Sequence, residues 1–290
     1  RDGVLVTLER GVHQTERKLV GGLLLGIGLR HARGVGVELG NGVLVGVDVV
    51  VESTGAFTDK DKAKSHMVGG AKKVLISAPS KNADFDLVVG VNEHLYDKKR
   101  HNIISNESCT TNCLAPLAKV LHEAYKIHVG YMLTAHAATA SQAVVDDAPK
   151  DKDLRKARAS FNNLIPTTTG ATEAVVRVLP ELRNRLNGVS IRVPVLDGSL
   201  VCFTAQVNKD VTVDEVNKLF LKESQGRMKG IIEYTDAPIV SADIIGNPHS
   251  AVLDSLLTSV LQNRTVTIYG WYDNEFGYAN RLKDACKLLL

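Results

Sequence analysis

The sequence predicts an α/β fold in two parts, and three features carry that prediction. From Val43 the run "VLVGVDVVVEST" is continuously apolar, as are "KKVLISAP" (72–79) and "DLVVGVN" (86–92). Strands that read this way are buried on both faces, as in a parallel sheet. Between the first two lies "TGAFTDKDKAKSHMVGG", a helical interval with Thr58 as N-cap, Asp61 behind it and Gly69-Gly70 as the stop. Strand, helix, strand, strand is the grammar of an open parallel sheet. Further on the style changes. "SLVCFTAQVNKD" (199–210) alternates, with Val201, Phe203, Ala205 and Val207 on one face, as an antiparallel strand with one wet side does.

The remaining elements follow in order. "TVDEVNKLFLKE" is a helix with Thr212 as N-cap, Glu215 in the capping-box position, and Val213, Val216 and Phe220 as its apolar stripe. "AVLDSLLTSVLQN" reads as a helix, "RTVTIYGWY" as a strand and "ANRLKDACKLLL" as a closing helix. A parallel α/β part therefore precedes a mixed α+β part whose sheet is mostly antiparallel.

Bulk properties narrow the function. The 290 residues suffice for two domains. With 35 basic against 32 acidic residues, the net charge of +3 argues neither for nucleic acid nor for an anionic membrane. The apolar runs are too short to span a bilayer. Four cysteines in so long a chain suggest reduced thiols rather than a disulfide scaffold, so the chain reads as cytoplasmic.

Two of those cysteines stand in "SNESCTTNCLAP" (105–116), among hydroxyls. Leu114, Leu117 and Leu121 recur at helical spacing behind them, with Ala118 and Tyr125 on the same side, which puts Cys109 in the first turn of a helix. Free N–H groups and the helix dipole there favour a thiolate and can hold an oxyanion. Ser108 and Thr110 could bond a phosphate beside it. Cys113 is a buried companion, and with no second Cys/His pair nearby no metal is expected; Cys202 and Cys286 read as core. His136, at the end of the strand-like "GYMLTAH", is a candidate base.

These residues resemble a known family. "SNESCTTNCLAPLAKVLHE" is similar to the active-site segment of phosphorylating glyceraldehyde-3-phosphate dehydrogenases, and "VDVVVESTGAF", "GAKKVLISAPSKN", "IPTTTGATEAV", "VLPEL", "LNGVSIRVPV" and "WYDNEFGY" follow the family's order. The resemblance covers roughly residues 43–290. It implies a Rossmann-type NAD-binding domain over 1–108, rejoined by 273–290, and a catalytic domain over 109–272. It implies Cys109 as nucleophile and His136 as base, Thr139 and Arg192 at the substrate's C3 phosphate, and Ser108, Thr110, Thr169 and Gly170 at the attacking phosphate. Thr54, Gly55 and Ser77 would lie at the cofactor, Asn274 at the nicotinamide carboxamide, and Tyr278 nearby. The cofactor would be NAD, with NADP as the alternative, and the assembly a homotetramer.

The resemblance implies glycolytic oxidation of glyceraldehyde 3-phosphate with inorganic phosphate. Its rivals are erythrose-4-phosphate oxidation and a non-catalytic relative. The family's Gly-rich fingerprint is not legible: "GIGLRHARG" has Gly26 and Gly28, but Gly34 comes too late, and Glu38 is a weak candidate for the ribose contact. The stretch before Val43 is also short for the family's first βαβ unit. A truncated or unreliable start, a divergent cofactor site and a degenerate relative are the three readings. Ala137 and Ala138 replace bulkier residues of many relatives, "LDGSLV" (196–201) departs from the usual run, and Glu173 stands where lysine is common, close enough to perturb the attacking-phosphate site.

Overall fold

The computed structural model describes residues 4–8, 47–148 and 153–290, the first of these as backbone. The glycine cluster at 26–34, Glu38 and the start of the run from Val43 lie outside the described residues. The chain divides into two compact units, Arg1–Ser108 with Ala279–Leu290, and Cys109–Tyr278.

The first unit holds β1 (Val4–Leu8), β2 (Val49–Ser53), the helix α1 (Lys60–Val68), β3 (Lys73–Ile76), β4 (Phe85–Asp86) and β5 (Ile103–Ser105). The strands form one sheet in the order β1-β2-β3-β5-β4, with every pair parallel. Val49, Val50 and Val51, like Val74, Leu75 and Ile76, are buried without alternation, as the apolar runs predict. Two boundaries differ from expectation. Asp59, not Thr58, caps α1: its carboxylate accepts the Asp61 N–H at 2.8 Å and the Asn82 amide at 3.0 Å. The run 86–92 is not a strand beyond Asp86. There Asn92 accepts the Val88 N–H at 2.9 Å and donates to the Asp86 carbonyl at 2.8 Å, closing a loop that keeps Leu87 and Val88 buried without a ladder.

The second unit opens with α2 (Cys109–Tyr125) and β6 (Ile127–His136), then β7 (Ile165–Thr167), α3 (Ala171–Val178), β8 (Leu186–Arg192), β9 (Ser199–Val207), α4 (Val213–Gln225), β10 (Ile232–Thr235), β11 (Ala251–Asp254), β12 (Ser259–Leu261) and β13 (Thr265–Tyr272). Its sheet runs β10-β11-β13-β9-β6-β8-β7, with β12 on β13. The pairs β6–β8 and β10–β11 are parallel and the others antiparallel. β9 alternates as predicted, with Val201, Phe203, Ala205 and Val207 inside. Cys202 consequently falls on the other face and is half-buried rather than core. Thr212 and Glu215 close the predicted capping box; Val216 and Phe220 are buried, while Val213 stays exposed.

The expected helix over 251–263 is instead β11, a short 3-10 turn and β12. Four consecutive buried residues fit either reading. Asp254 decides it by accepting the Leu256 N–H at 3.1 Å and the Trp271 indole N–H at 3.1 Å, which turns the chain at the end of β11. The closing helix α5 (Phe276–Leu289) brings the chain back to the first unit. There Ala285, Cys286 and Leu289 pack on Val49, Val51, Leu75, Leu87 and Ile104.

α2 lies against β13, β9 and β11 with Leu114, Leu117 and Leu121 fully buried, and it accommodates Pro116 without ending. Its approach to β13 is close: a Cβ on Gly270 would lie 2.6 Å from Leu117 Cδ1 and 3.2 Å from Cys113 Sγ. Gly270→Ala should therefore overpack this contact and cost about 1–3 kcal/mol. A denaturant titration checks it, with the midpoint falling and the slope unchanged.

Candidate active site

Cys109 begins α2 and His136 ends β6, and the fold brings Cys109 Sγ to 3.4 Å from His136 Nε2. Arg192 ends β8 directly opposite His136 in the parallel register. Its guanidinium NH1 donates to His136 Nδ1 at 2.6 Å and to the Ala137 carbonyl at 3.1 Å. The same Nδ1 lies 2.8 Å from that carbonyl, to which it could donate as N–H. Arginine has no acceptor, so its bond needs a lone pair on Nδ1, whereas the Ala137 bond needs a proton there. The imidazole is thus held between two tautomers.

The phosphate candidates are carried alongside. The loop after β6 is tied to the segment after β8 by the Val193 N–H on the His136 carbonyl at 2.9 Å and the Ala138 N–H on the Val195 carbonyl at 2.9 Å. This brings the Thr139 loop beside Arg192. Thr139 is half-buried and shares a 2.9 Å hydrogen bond with the Ser141 hydroxyl. Thr169 and Gly170 follow β7, whose Ile165 pairs with Arg192. Gly170 is the N-cap of α3, Thr169 accepts the Ala171 N–H at 3.2 Å, and nothing lies within 4 Å of a Cβ built on Gly170. α3 packs on α2. Glu173 is exposed in the first turn of α3, where its charge opposes that of an incoming anion. Ser108 is half-buried, and Thr110 is buried in the first turn of α2.

Burial pushes the Cys109 thiol up to about 11; Arg192 and hydrogen bonds from the Thr110 hydroxyl and N–H pull it back, while Glu275 adds to the rise. Cys109 is itself only half-buried, and the water reaching it opposes the rise. Desolvation opposes the depressed thiol expected at a helix terminus. Burial, and then Arg192, hold His136 down to about 4. Burial thus works against charge on the sulfur and on the imidazole alike.

Of the residues expected at a dinucleotide, Thr54, Gly55 and Ser77 sit at the carboxyl edge of adjacent parallel strands, where open α/β sheets take ligands. The Ser77 N–H donates to the Glu52 carbonyl at 3.0 Å. The Thr54 hydroxyl donates to the Glu52 carboxylate and accepts the Ala56 N–H at 3.0 Å, so that side chain is engaged within its own turn. Gly55 has φ +77, with nothing within 4 Å of a built Cβ, a bare turn that lets a ligand approach the backbone. This edge fits a dinucleotide.

In the second unit Asn274 is buried and its carbonyl accepts the Ser199 hydroxyl at 2.7 Å, while Tyr278 is half-buried. Ser199 also accepts the Ala137 N–H at 3.0 Å, which ties the Asn274 amide to the loop after His136. Sequence reasoning did not single out Ser199 or Tyr272. Tyr272 is buried at the end of β13 with its ring edge-on to His136, centroids 6.0 Å apart, and the strict alternation of β13 is the signal that could have found it.

The buried imidazole has a consequence for stability. Its pKa falls from 6.5 to about 4 on folding, so between those values the unfolded chain binds a proton that the folded chain refuses. Stability through this group is full above pH 6.5 and is lost as pH falls toward 4. From pH 7 to pH 5 the loss should be about 2 kcal/mol. Chemical denaturation of wild type and His136→Gln at both pH values checks this: the variant should lack that part of the decline.

Comparison with known proteins gives the family. Residues 108–274 match the family described as glyceraldehyde 3-phosphate dehydrogenase, C-terminal domain. Over 238 residues the chain is 53% identical to glyceraldehyde-3-phosphate dehydrogenase 2 of Streptomyces avermitilis, covering 82% of this chain and 70% of the relative. It is 52% identical over 244 residues to the Mycobacterium leprae enzyme, covering 84% and 71%. With the Geobacillus stearothermophilus enzyme it shares 50% over 240 residues, covering 83% and 71%. With its thiol–imidazole pair on a family match that spans more than half of its length, the chain belongs to the glyceraldehyde-3-phosphate dehydrogenase family.

Proposed function

We propose that this chain oxidises glyceraldehyde 3-phosphate and joins the acyl group to inorganic phosphate, giving 1,3-bisphosphoglycerate. The observation that carries this is the 3.4 Å approach of Cys109 Sγ to His136 Nε2 with Arg192 beside both. Cys109 attacks the aldehyde carbon and forms a thiohemiacetal, while His136 takes the proton released in the oxidation. The bound dinucleotide supplies the acceptor for the hydride. What remains on Cys109 is a thioester, which phosphate opens where an oxygen ester would resist.

Arg192 and Thr139 hold the substrate's own phosphate, and Ser108, Thr110, Thr169 and Gly170 hold the attacking one. A guanidinium turned toward a phosphate releases His136 Nδ1 to donate to the Ala137 carbonyl. That is the tautomer that leaves Nε2 basic. The first unit serves the dinucleotide, through Thr54, Gly55 and Ser77, and the second serves catalysis, with Asn274 and Tyr278 at the nicotinamide end. NAD is the form the resemblance implies. A homotetramer and a cytoplasmic setting belong to the same reading. Leu196, Val240, Ile245 and Leu256, all exposed on the second unit, supply apolar surface for a subunit contact.

The test is reduced-nucleotide absorbance from glyceraldehyde 3-phosphate and NAD, with and without phosphate. Turnover should require phosphate and fall by about a thousandfold or more in Cys109→Ser. Turnover indifferent to phosphate would replace the acyl phosphate by a free acid. A folded but inactive wild type would overturn the assignment.

A further inference from the structure

We propose that Tyr272 is a positioning residue for the thiol, its hydroxyl completing a chain of three hydroxyls, Thr134–Tyr272–Thr110, whose O–H groups all point toward the Cys109 sulfur. This rests on Cys109 being the nucleophile.

Both hydroxyl–hydroxyl links are closed. Tyr272 Oη lies 3.0 Å from Thr134 Oγ1 and 3.0 Å from Thr110 Oγ1. Thr110 is the residue next to Cys109, and its side chain draws the thiol's pKa down. All three hydroxyl residues are buried, so solvent does not compete for these bonds. Burial also holds the Tyr272 phenol well above its ordinary range, and it stays an O–H.

The sulfur fixes the sense of the chain. A hydroxyl has one proton to give. If Thr110 donates to a sulfur gaining negative charge, its oxygen must accept from Tyr272. Tyr272, having donated, must accept from Thr134. The three dipoles then align head to tail and strengthen one another in a dry site. They act in the same direction as Arg192, against the burial that pushes the thiol up.

The placement joins the two catalytic carriers. Thr110 sits in the first turn of α2, next to Cys109. Thr134 lies two residues before His136 on β6, hence on the same face. Tyr272 ends β13, on the far side of β9 from β6. Its hydroxyl reaches both carriers while its ring packs edge-on to His136, at an interplanar angle of 80°. The chain also places a demand on Thr110. One proton cannot serve the sulfur and a phosphate together, so Thr110 becomes free for the attacking phosphate only when the sulfur has become a thioester and accepts poorly.

Tyr272→Phe removes the hydroxyl and keeps the ring against His136. The readout is the pH profile of Cys109 alkylation by iodoacetamide, a neutral reagent without a phosphate. The midpoint should rise, and alkylation at pH 7 should slow about fivefold, the worth of one ordinary hydrogen bond. kcat should fall by a similar factor, with KM for the aldehyde substrate within about twofold. Tyr269→Phe, on the opposite face of β13, should change neither. An unchanged midpoint overturns the proposal, even if the melting temperature drops, because a merely structural hydroxyl would do that alone.

Should Tyr272→Phe fail to fold, Thr134→Val removes the far link in a near-isosteric way. It should shift the midpoint in the same direction, and Thr134→Ser should restore it; no shift in Thr134→Val overturns the chain. A wild type silent in turnover would count against the assigned reaction, while the alkylation profile would still judge the chain.

Discussion

The site depends on how closely one helix can approach one strand. α2 carries Cys109 in its first turn, and β6 carries His136 at its end. The two meet because the body of α2 rests on β13 at Gly270, where there is no side chain to hold it off. Cys113 and Leu117 fill that place, and the Cys113 thiol donates to the Gly270 carbonyl at 3.7 Å. The two cysteines therefore divide the work. Cys113 seats the helix on the sheet, and Cys109, one turn earlier, projects where that seating aims it. A displacement at Gly270 is passed along a rigid helix to the sulfur, since packed interiors transmit strain rather than absorb it.

The chain enters this helix through an uncommon backbone. Glu107, buried, has φ 58, the left-handed region that side chains other than glycine rarely occupy. Its N–H is met by the Ser105 hydroxyl at 3.1 Å, and that hydroxyl donates to the Ala78 carbonyl at 2.8 Å. Such a conformation persists only where its surroundings over-determine it, which is frequent at functional sites. Here it lies just after the end of β5, at the close of the first unit.

Much of this was legible in the sequence, for reasons that differ from residue to residue. Buried parallel strands announce themselves by unbroken apolar runs, and β9 by its alternation. The capping box of α4 was visible because Thr212 and Glu215 are a local signal. The misreadings share another cause. At 86–92 and 251–263 the apolar content was right, but one side chain turns the backbone, Asn92 in the first case and Asp254 in the second. Asn92 does so through bonds within its own loop, to Val88 and Asp86, and Asp254 partly through a bond to Trp271 on another strand. At the site, Cys109 was marked by its place at a helix start and its hydroxyl neighbours, His136 by the end of a strand, and Arg192 by the family resemblance alone. Tyr272 and Ser199 were not marked, because each matters only through contacts across the sheet.

Electrostatics is where sequence logic and structure part most clearly. A cysteine at a helix N-terminus suggests a thiolate in waiting. Burial instead opposes charge on both groups, drawing the thiol up to about 11 and the imidazole down to about 4. Each group alone is held from its charged form by desolvation. Proton transfer from Sγ to Nε2 would create both charges at once, 3.4 Å apart, and their attraction would offset part of that cost. Arg192 favours the thiolate but disfavours the imidazolium, so by itself it cannot promote the pair. It does so only when an anion takes up its charge and its N–H groups. In the proposed reaction the substrate's own phosphate has the charge to do this, and Arg192 would then link substrate anchoring to ionisation of the pair.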